Sequence, residues 1–173
     1  MTSKEKPTVV WFQAITCNGN THSLLSANSS RLELFFNSFN LIYHPSLTIE
    51  KTLDDILNQK EQIDFLLIEG AITSNEKFFS ISNDTTFNLL NKLALKSKYI
   101  IAVGSCASNG GIHTKFTQNN DIQGINDSID KQTINKLEHS IINLTGCPVH
   151  PEWILQTLFS LRDYGKMNLD EEK

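Results

Sequence analysis

Two stretches of the chain, Ile63-Asp64-Phe65-Leu66-Leu67-Ile68 and Tyr99-Ile100-Ile101-Ala102-Val103, are almost continuously apolar. A strand that is apolar on both faces must be covered on both faces, which is the arrangement of a parallel sheet with helices on each side. Three further short runs, Thr8 to Phe12, Leu41 to His44 and Ile141 to Leu144, alternate with amphipathic segments. This alternation predicts an α/β domain with a doubly wound, flavodoxin-like parallel sheet of five strands in the order 2-1-3-4-5.

Helices fit the gaps. Ser30 with Glu33 reads as a capping box ahead of Leu34, Phe35 and Phe36. Leu53, Ile56 and Leu57 form a second helical stripe, Asp84 is a candidate cap for a helix with Phe87, Leu90 and Leu93, and Ser128 for one with Ile134 and Leu137. Pro151 suits the first position of a last helix carrying Trp153, Ile154, Leu158 and Leu161, with His150 as its cap. His113 to Asp127 reads as one long polar loop. The expected organisation is one domain over residues 1–165 and a polar tail over 166–173.

Charge and composition exclude several classes. Fifteen basic against nineteen acidic side chains leave a formal charge of −4, so nothing draws the chain to nucleic acid or an anionic membrane surface. Apolar runs of about six residues fall far short of the roughly 20 that span a bilayer, so no membrane span is expected. Met1 to Pro7 is polar and lacks an apolar signal core, which points to a cytoplasmic protein. Three cysteines in such a chain argue against a disulfide framework and leave metal ligation, redox chemistry or packing.

The placement of those cysteines narrows the choice. In open α/β sheets, ligands bind beyond the carboxyl ends of the strands. Cys17 follows the first expected strand, Cys106 the fourth and Cys147 the fifth, while Glu69 ends the third. Glycines flank each cysteine, in Cys17-Asn18-Gly19-Asn20, Gly104-Ser105-Cys106 and Gly146-Cys147-Pro148. They allow sharp turns and leave amide groups free to donate. Soft thiolates select iron–sulfur clusters, zinc or copper(I). Buried, inert cysteines are the competing explanation.

Four blocks of the sequence resemble the small, electron-transfer subunit of nickel–iron hydrogenases. Trp11 to Leu25 is similar to that family's Trp-Leu-x-x-x-x-Cys-x-Gly-Cys-x-x-Ser-Leu-Leu opening, and Ile68 to Ile72 to its Glu-Gly-Ala-Ile segment. Ala102 to Ile112 is similar to Ala-Val-Gly-x-Cys-Ala-x-x-Gly-Gly-Ile, and Asn143 to Ile154 to Asn-Ile-Pro-Gly-Cys-Pro-x-x-Pro-Glu-Trp-Ile. The resemblance implies an iron–sulfur cluster ligated by Cys17, Cys106 and Cys147. Glu69, Gly19, Ser105 and Thr21 are placed around it. It also implies a separate large subunit that carries the nickel–iron site.

The fourth ligand position of the family falls on Asn20. It is either a non-cysteine ligand of a 4Fe–4S cluster or marks a 3Fe–4S cluster with one corner missing. The uptake-type subclass, cyanobacterial forms included, resembles this chain in carrying Asn there and in Cys-Pro-x-His-Pro. A six-cysteine cluster is excluded, because Gly19 fills one of the extra positions and no cysteine is spare. With no cysteine after Cys147, the medial and distal clusters of longer members are not expected, and electrons must leave through a further protein.

Other readings stay open. Thr16 to Thr21 superficially resembles a flavodoxin phosphate loop, which would make the chain an FMN carrier. Three cysteines plus His22 could bind zinc, although they lack the close paired spacing of zinc fingers. A scaffold paralogue without a cluster is the last. His113 is expected to be a loop residue.

Overall fold

The computed structural model describes residues 5–48, 50–81, 83–115 and 121–167. Five parallel strands form one sheet: β1 (Thr8–Gln13), β2 (Asn40–Tyr43), β3 (Ile63–Glu69), β4 (Ser97–Val103) and β5 (Ile142–Leu144). Their spatial order is 2-1-3-4-5, the doubly wound flavodoxin-like arrangement that the apolar runs indicate. The helices among the described residues are α1 (Gly19–Leu25), α2 (Ser29–Ser38), α3 (Leu53–Asn58), α4 (Thr86–Ala94), α5 (Ser105–Asn109), α6 (Ile125–Ser128), α7 (Lys131–Ile134) and α8 (Pro151–Tyr164).

Side chains alternate across the sheet and build two cores. Val9, Trp11, Phe65, Leu67, Tyr99, Ile101 and Val103 pack with Leu24 of α1, Phe35 of α2 and Ile154, Leu155 and Leu158 of α8. Val10, Phe12, Leu66, Ile68, Ile100 and Ala102 pack with Ile56 of α3 and Leu89, Leu90 and Leu93 of α4. Each fully buried large apolar side chain contributes roughly 1.5–3 kcal/mol. That packing, rather than intrinsic propensity, holds the seven-residue α1, since isolated helices under about 12–15 residues are marginal. Strand register sets Gln13 beside Glu69 and Glu69 beside Val103, so one row of residues forms the carboxyl edge of the sheet.

Three helix starts differ from the sequence expectation. Asn28, not Ser30, caps α2: its side chain accepts from the Ser30 backbone N–H at 3.0 Å and also takes the Ser30 hydroxyl at 2.8 Å. Thr85 caps α4 by accepting from Asn88 N at 3.2 Å, while Asp84 accepts from Asn88 Nδ2 and Lys92 Nζ on the exposed side. Ser128 ends α6, and Asp130 caps α7 by accepting from Thr133 N at 2.7 Å. In each case several short polar residues stand together, and only backbone conformation decides which of them acts as the cap.

The segment His113 to Asp127 is not one loop. A 3-10 helix spans Gly111–Lys115, Ile122–Gln123 pairs antiparallel with Ile72–Thr73, and α6 starts at Ile125; residues 116–120 lie outside the described residues. Residues 168–173 of the expected tail also lie outside them. No helix among the described residues is long and apolar enough to cross a membrane.

Candidate metal centre

All three cysteines lie at the carboxyl edge of the sheet, Cys17 and Cys147 on the loops behind β1 and β5 and Cys106 at the start of the helix behind β4. The first loop is set by an antiparallel bridge. Ile15 and Ala71 exchange backbone hydrogen bonds at 3.0 and 2.9 Å, and Ala14 N donates to Glu69 O at 2.8 Å. Gly70 makes this possible, with φ +102° and no Cβ to strike the Ile15 carbonyl. The chain then turns through Thr16, whose hydroxyl accepts from Asn18 N at 3.0 Å, leaving Cys17 exposed at the crest.

The second and third loops are joined to each other. Gly104, at φ +92°, ends β4 and opens α5, which puts Cys106 in its first turn. Gly104 N donates to Leu144 O at 2.8 Å and Ser105 N to Gly146 O at 2.9 Å. The Ser105 hydroxyl contacts Gly146 twice, donating to its carbonyl at 3.2 Å and accepting from its N–H at 3.3 Å. Cys147 follows directly, in a cis peptide with Pro148, and Val149 is fully buried beyond it.

The sulfurs share one electrostatic neighbourhood. Burial pushes the Cys106 thiol up, and the charges of Cys147, Cys17 and Glu69 push the same way; the Ile112 backbone N–H opposes them. A setting that disfavours a lone charge on Cys106 suits a cation-rich group, which would offset that repulsion. Two of the three thiols are exposed, which is inconsistent with buried, inert cysteines. Glycines also keep space beside the sulfurs: a Cβ on Gly19 would lie 3.3 Å from Cys17 Sγ, and one on Gly111 would lie 2.8 Å from Cys106 Sγ. No three or more His, Cys, Asp or Glu among the described residues gather closely enough to hold a single metal ion.

Glu69 is fully buried beneath this edge. Oε1 accepts from Thr16 Oγ1 at 3.1 Å, Asn20 N at 3.0 Å and Thr21 N at 3.4 Å. Oε2 accepts from Thr21 Oγ1 at 2.6 Å, Trp11 Nε1 at 3.0 Å and Gln13 Nε2 at 3.3 Å. Every partner donates, so the charge is dispersed over neutral dipoles. Both hydroxyls of the loop from Thr16 to Thr21 and its Asn20 and Thr21 amides are therefore turned to the protein's own carboxylate, not to a phosphate.

Asn20 is buried between the loops. Its Nδ2 donates to Val103 O at 3.2 Å, and its Oδ1 accepts from Val149 N at 2.9 Å. His22 is exposed on α1, His113 lies in the 3-10 helix, and His150 caps α8 by accepting from Glu152 N at 3.2 Å.

Sequence reasoning missed Trp11, Gln13, Thr16, Ser23 and His44. Ser23 Oγ donates to Val149 O at 2.5 Å. His44, also buried, places Nε2 3.2 Å from Thr21 Oγ1 and accepts from Ser46 N at Nδ1. The available signal was Gln13: a polar residue that ends an otherwise apolar strand and pairs in register with Glu69.

Fold and site together define a doubly wound α/β domain whose carboxyl edge is lined by cysteines over a buried, hydrogen-bonded carboxylate. The chain belongs to the family described as NADH ubiquinone oxidoreductase, 20 Kd subunit, whose model matches residues 17–161. It is 31% identical over 173 residues to the periplasmic NiFeSe hydrogenase small subunit of Desulfomicrobium baculatum, covering 89% of this chain and 54% of that one. It is 27% identical over 181 residues to the periplasmic NiFe hydrogenase small subunit 1 of Nitratidesulfovibrio vulgaris, covering 99% of this chain and 55% of that one. The crystal structure of a reduced, active form of the Ni-Fe-Se hydrogenase from Desulfomicrobium baculatum superposes with a TM-score of 0.75 at 28% identity, covering 91% of this chain and 62% of that one. The chain thus spans about half the length of these curated relatives.

Proposed function

We propose that this chain is the electron-transfer subunit of a nickel–iron hydrogenase. In this reading a separate large subunit carries the nickel–iron site and splits hydrogen, and this chain receives the electrons. The observation that carries it is the convergence of three thiols at one sheet edge, in a chain similar to hydrogenase small subunits over most of its length.

Cys17, Cys106 and Cys147 would hold one iron–sulfur cluster, 4Fe–4S or 3Fe–4S, and this group supplies reversible one-electron chemistry when bound. The protein's own contribution is positional and electrostatic. The Ile112 N–H directed at Cys106 favours charge on that sulfur, whereas the Glu69 charge disfavours it. Gly19 and Gly111 leave room next to the sulfurs. Ile112 and Trp153 are exposed apolar side chains close in sequence to Cys106 and Cys147, and with the start of α1 they form the face offered to the large subunit. Electrons leave through a further electron-transfer protein, and the reading places the complex in the cytoplasm.

The FMN alternative finds less support, because Glu69 already occupies the donors of the loop that would cradle a phosphate. The test is anaerobic co-purification with any large-subunit candidate encoded nearby, with iron and acid-labile sulfide counted and EPR recorded. Three or four irons per chain, sulfide to match, no flavin, and loss of iron in Cys106→Ser are expected. A stable complex without iron, sulfide or flavin would leave only the scaffold reading.

A further inference from the structure

We propose that Asn20 is a positioning residue whose carboxamide ties the three cysteine-bearing loops together, and that it does not ligate the metal group. The proposal deepens the electron-transfer reading above and rests on it for the identity of that group.

A primary amide binds a metal through its oxygen, and in Asn20 that oxygen accepts the Val149 N–H at 2.9 Å. Its nitrogen donates to the Val103 carbonyl at 3.2 Å, and its own backbone N–H goes to Glu69 at 3.0 Å. Val103 directly precedes the Gly104-Ser105-Cys106 turn, Val149 follows Cys147 and Pro148, and Asn20 itself follows Cys17, Asn18 and Gly19. One side chain therefore reaches all three loops. Swinging the oxygen outward would strand the Val149 N–H of a fully buried residue and the Val103 carbonyl together, and unpaired buried groups are costly.

Two neighbours are shaped around this arrangement. A Cβ on Gly104 would collide with the Asn20 carboxamide, so the glycine before Ser105-Cys106 makes room for the strut as well as for the turn. One helical turn beyond Asn20, the Ser23 hydroxyl takes the Val149 carbonyl at 2.5 Å, so α1 grips both polar groups of that residue. Ligation then falls to the three thiolates, and Asn20 acts on the group only by holding them in place.

The test uses the complex isolated anaerobically, with the chain labelled in asparagine with carbon-13 and nitrogen-15. Pulsed EPR is expected to show no hyperfine coupling from a bonded carboxamide. In parallel, native-state hydrogen exchange is expected to show the Val149 amide exchanging roughly tenfold faster in Asn20→Ala, with protection largely restored in Asn20→Asp, which keeps the acceptor. A strong carboxamide coupling in the wild-type chain would overturn the proposal, as would equal Val149 protection in wild type and Asn20→Ala. The labelling arm needs no variant, so an Asn20→Ala chain that fails to fold leaves it intact. If the complex contains no iron, the electron-transfer reading fails, and the exchange arm alone decides the strut.

Discussion

Thr21 donates its hydroxyl to Glu69 at 2.6 Å across 48 residues of sequence, and that same oxygen accepts from Gln13 at 2.9 Å. The His44 imidazole closes the group at 3.2 Å. Since Nδ1 of His44 accepts from Ser46 N, the neutral ring carries its proton on Nε2 and donates to Thr21. A hydroxyl that donates once and accepts twice is thus the hub linking β1, α1, β3 and the end of β2.

Removing the hub should be costly. Thr21→Val is expected to destabilise the chain by about 1–3 kcal/mol, because Gln13 and His44 lose their acceptor in a buried site. Thr21→Ser should recover most of that loss. Urea unfolding of the three chains checks both statements, and an unchanged midpoint for Thr21→Val would mean the hub carries no net stability.

Glu69→Gln is expected to raise the midpoint potential of the cluster in the proposed complex. A buried negative charge disfavours the added electron, and the isosteric amide removes it. A redox titration followed by EPR reads the shift; equal potentials would place the carboxylate outside effective range of the cluster.

Stability should fall with pH because of His44. Burial lowers its pKa, with the Glu69 charge only partly offsetting this. Protonation would also set an Nδ1–H against the Ser46 N–H. The unfolded chain takes up its proton near pH 6.5, before the folded chain does, so this contribution is complete above about pH 6.5 and is lost as pH falls toward the lowered native value. Denaturant unfolding across that window should show a flatter pH dependence in His44→Asn than in wild type.

Gly111 stands at φ +56° with its absent Cβ facing Cys106 Sγ, whereas Gly165 stands at φ +67° with only Tyr99 Oη, at 3.5 Å, near its own. Alanine at either site should cost about 1–2 kcal/mol in backbone strain. Only Gly111→Ala is expected to lower iron content, with far-UV circular dichroism preserved in both. Equal iron in the two variants would refute the spatial argument at Cys106.

The sheet could be read from the chain because β3 and β4 are buried on both faces, and that burial is written into Ile63 to Ile68 and Tyr99 to Val103 as unbroken apolar runs. The positions of the cysteines followed from strand ends alone. The helix caps at Asn28, Thr85 and Asp130 did not, since Asn28 and Ser30 are chemically interchangeable until the backbone angles are known. Nor did the grip of Asn20 and Ser23 on Val149, whose partners lie 129 and 126 residues away and meet only when α1 packs on α8.

The row of loops behind β1, β4 and β5 has a consequence for biogenesis. Cys17 follows the first strand of the sheet in chain order and Cys147 the fifth, which among the described residues pairs with β4 alone and through three residues. An emerging chain can fold most of its sheet while two thiols wait at an open rim. The third thiol reaches the rim only with the docking of that short strand, so under the proposed function a cluster would meet its full set of thiols only on a chain whose sheet has closed.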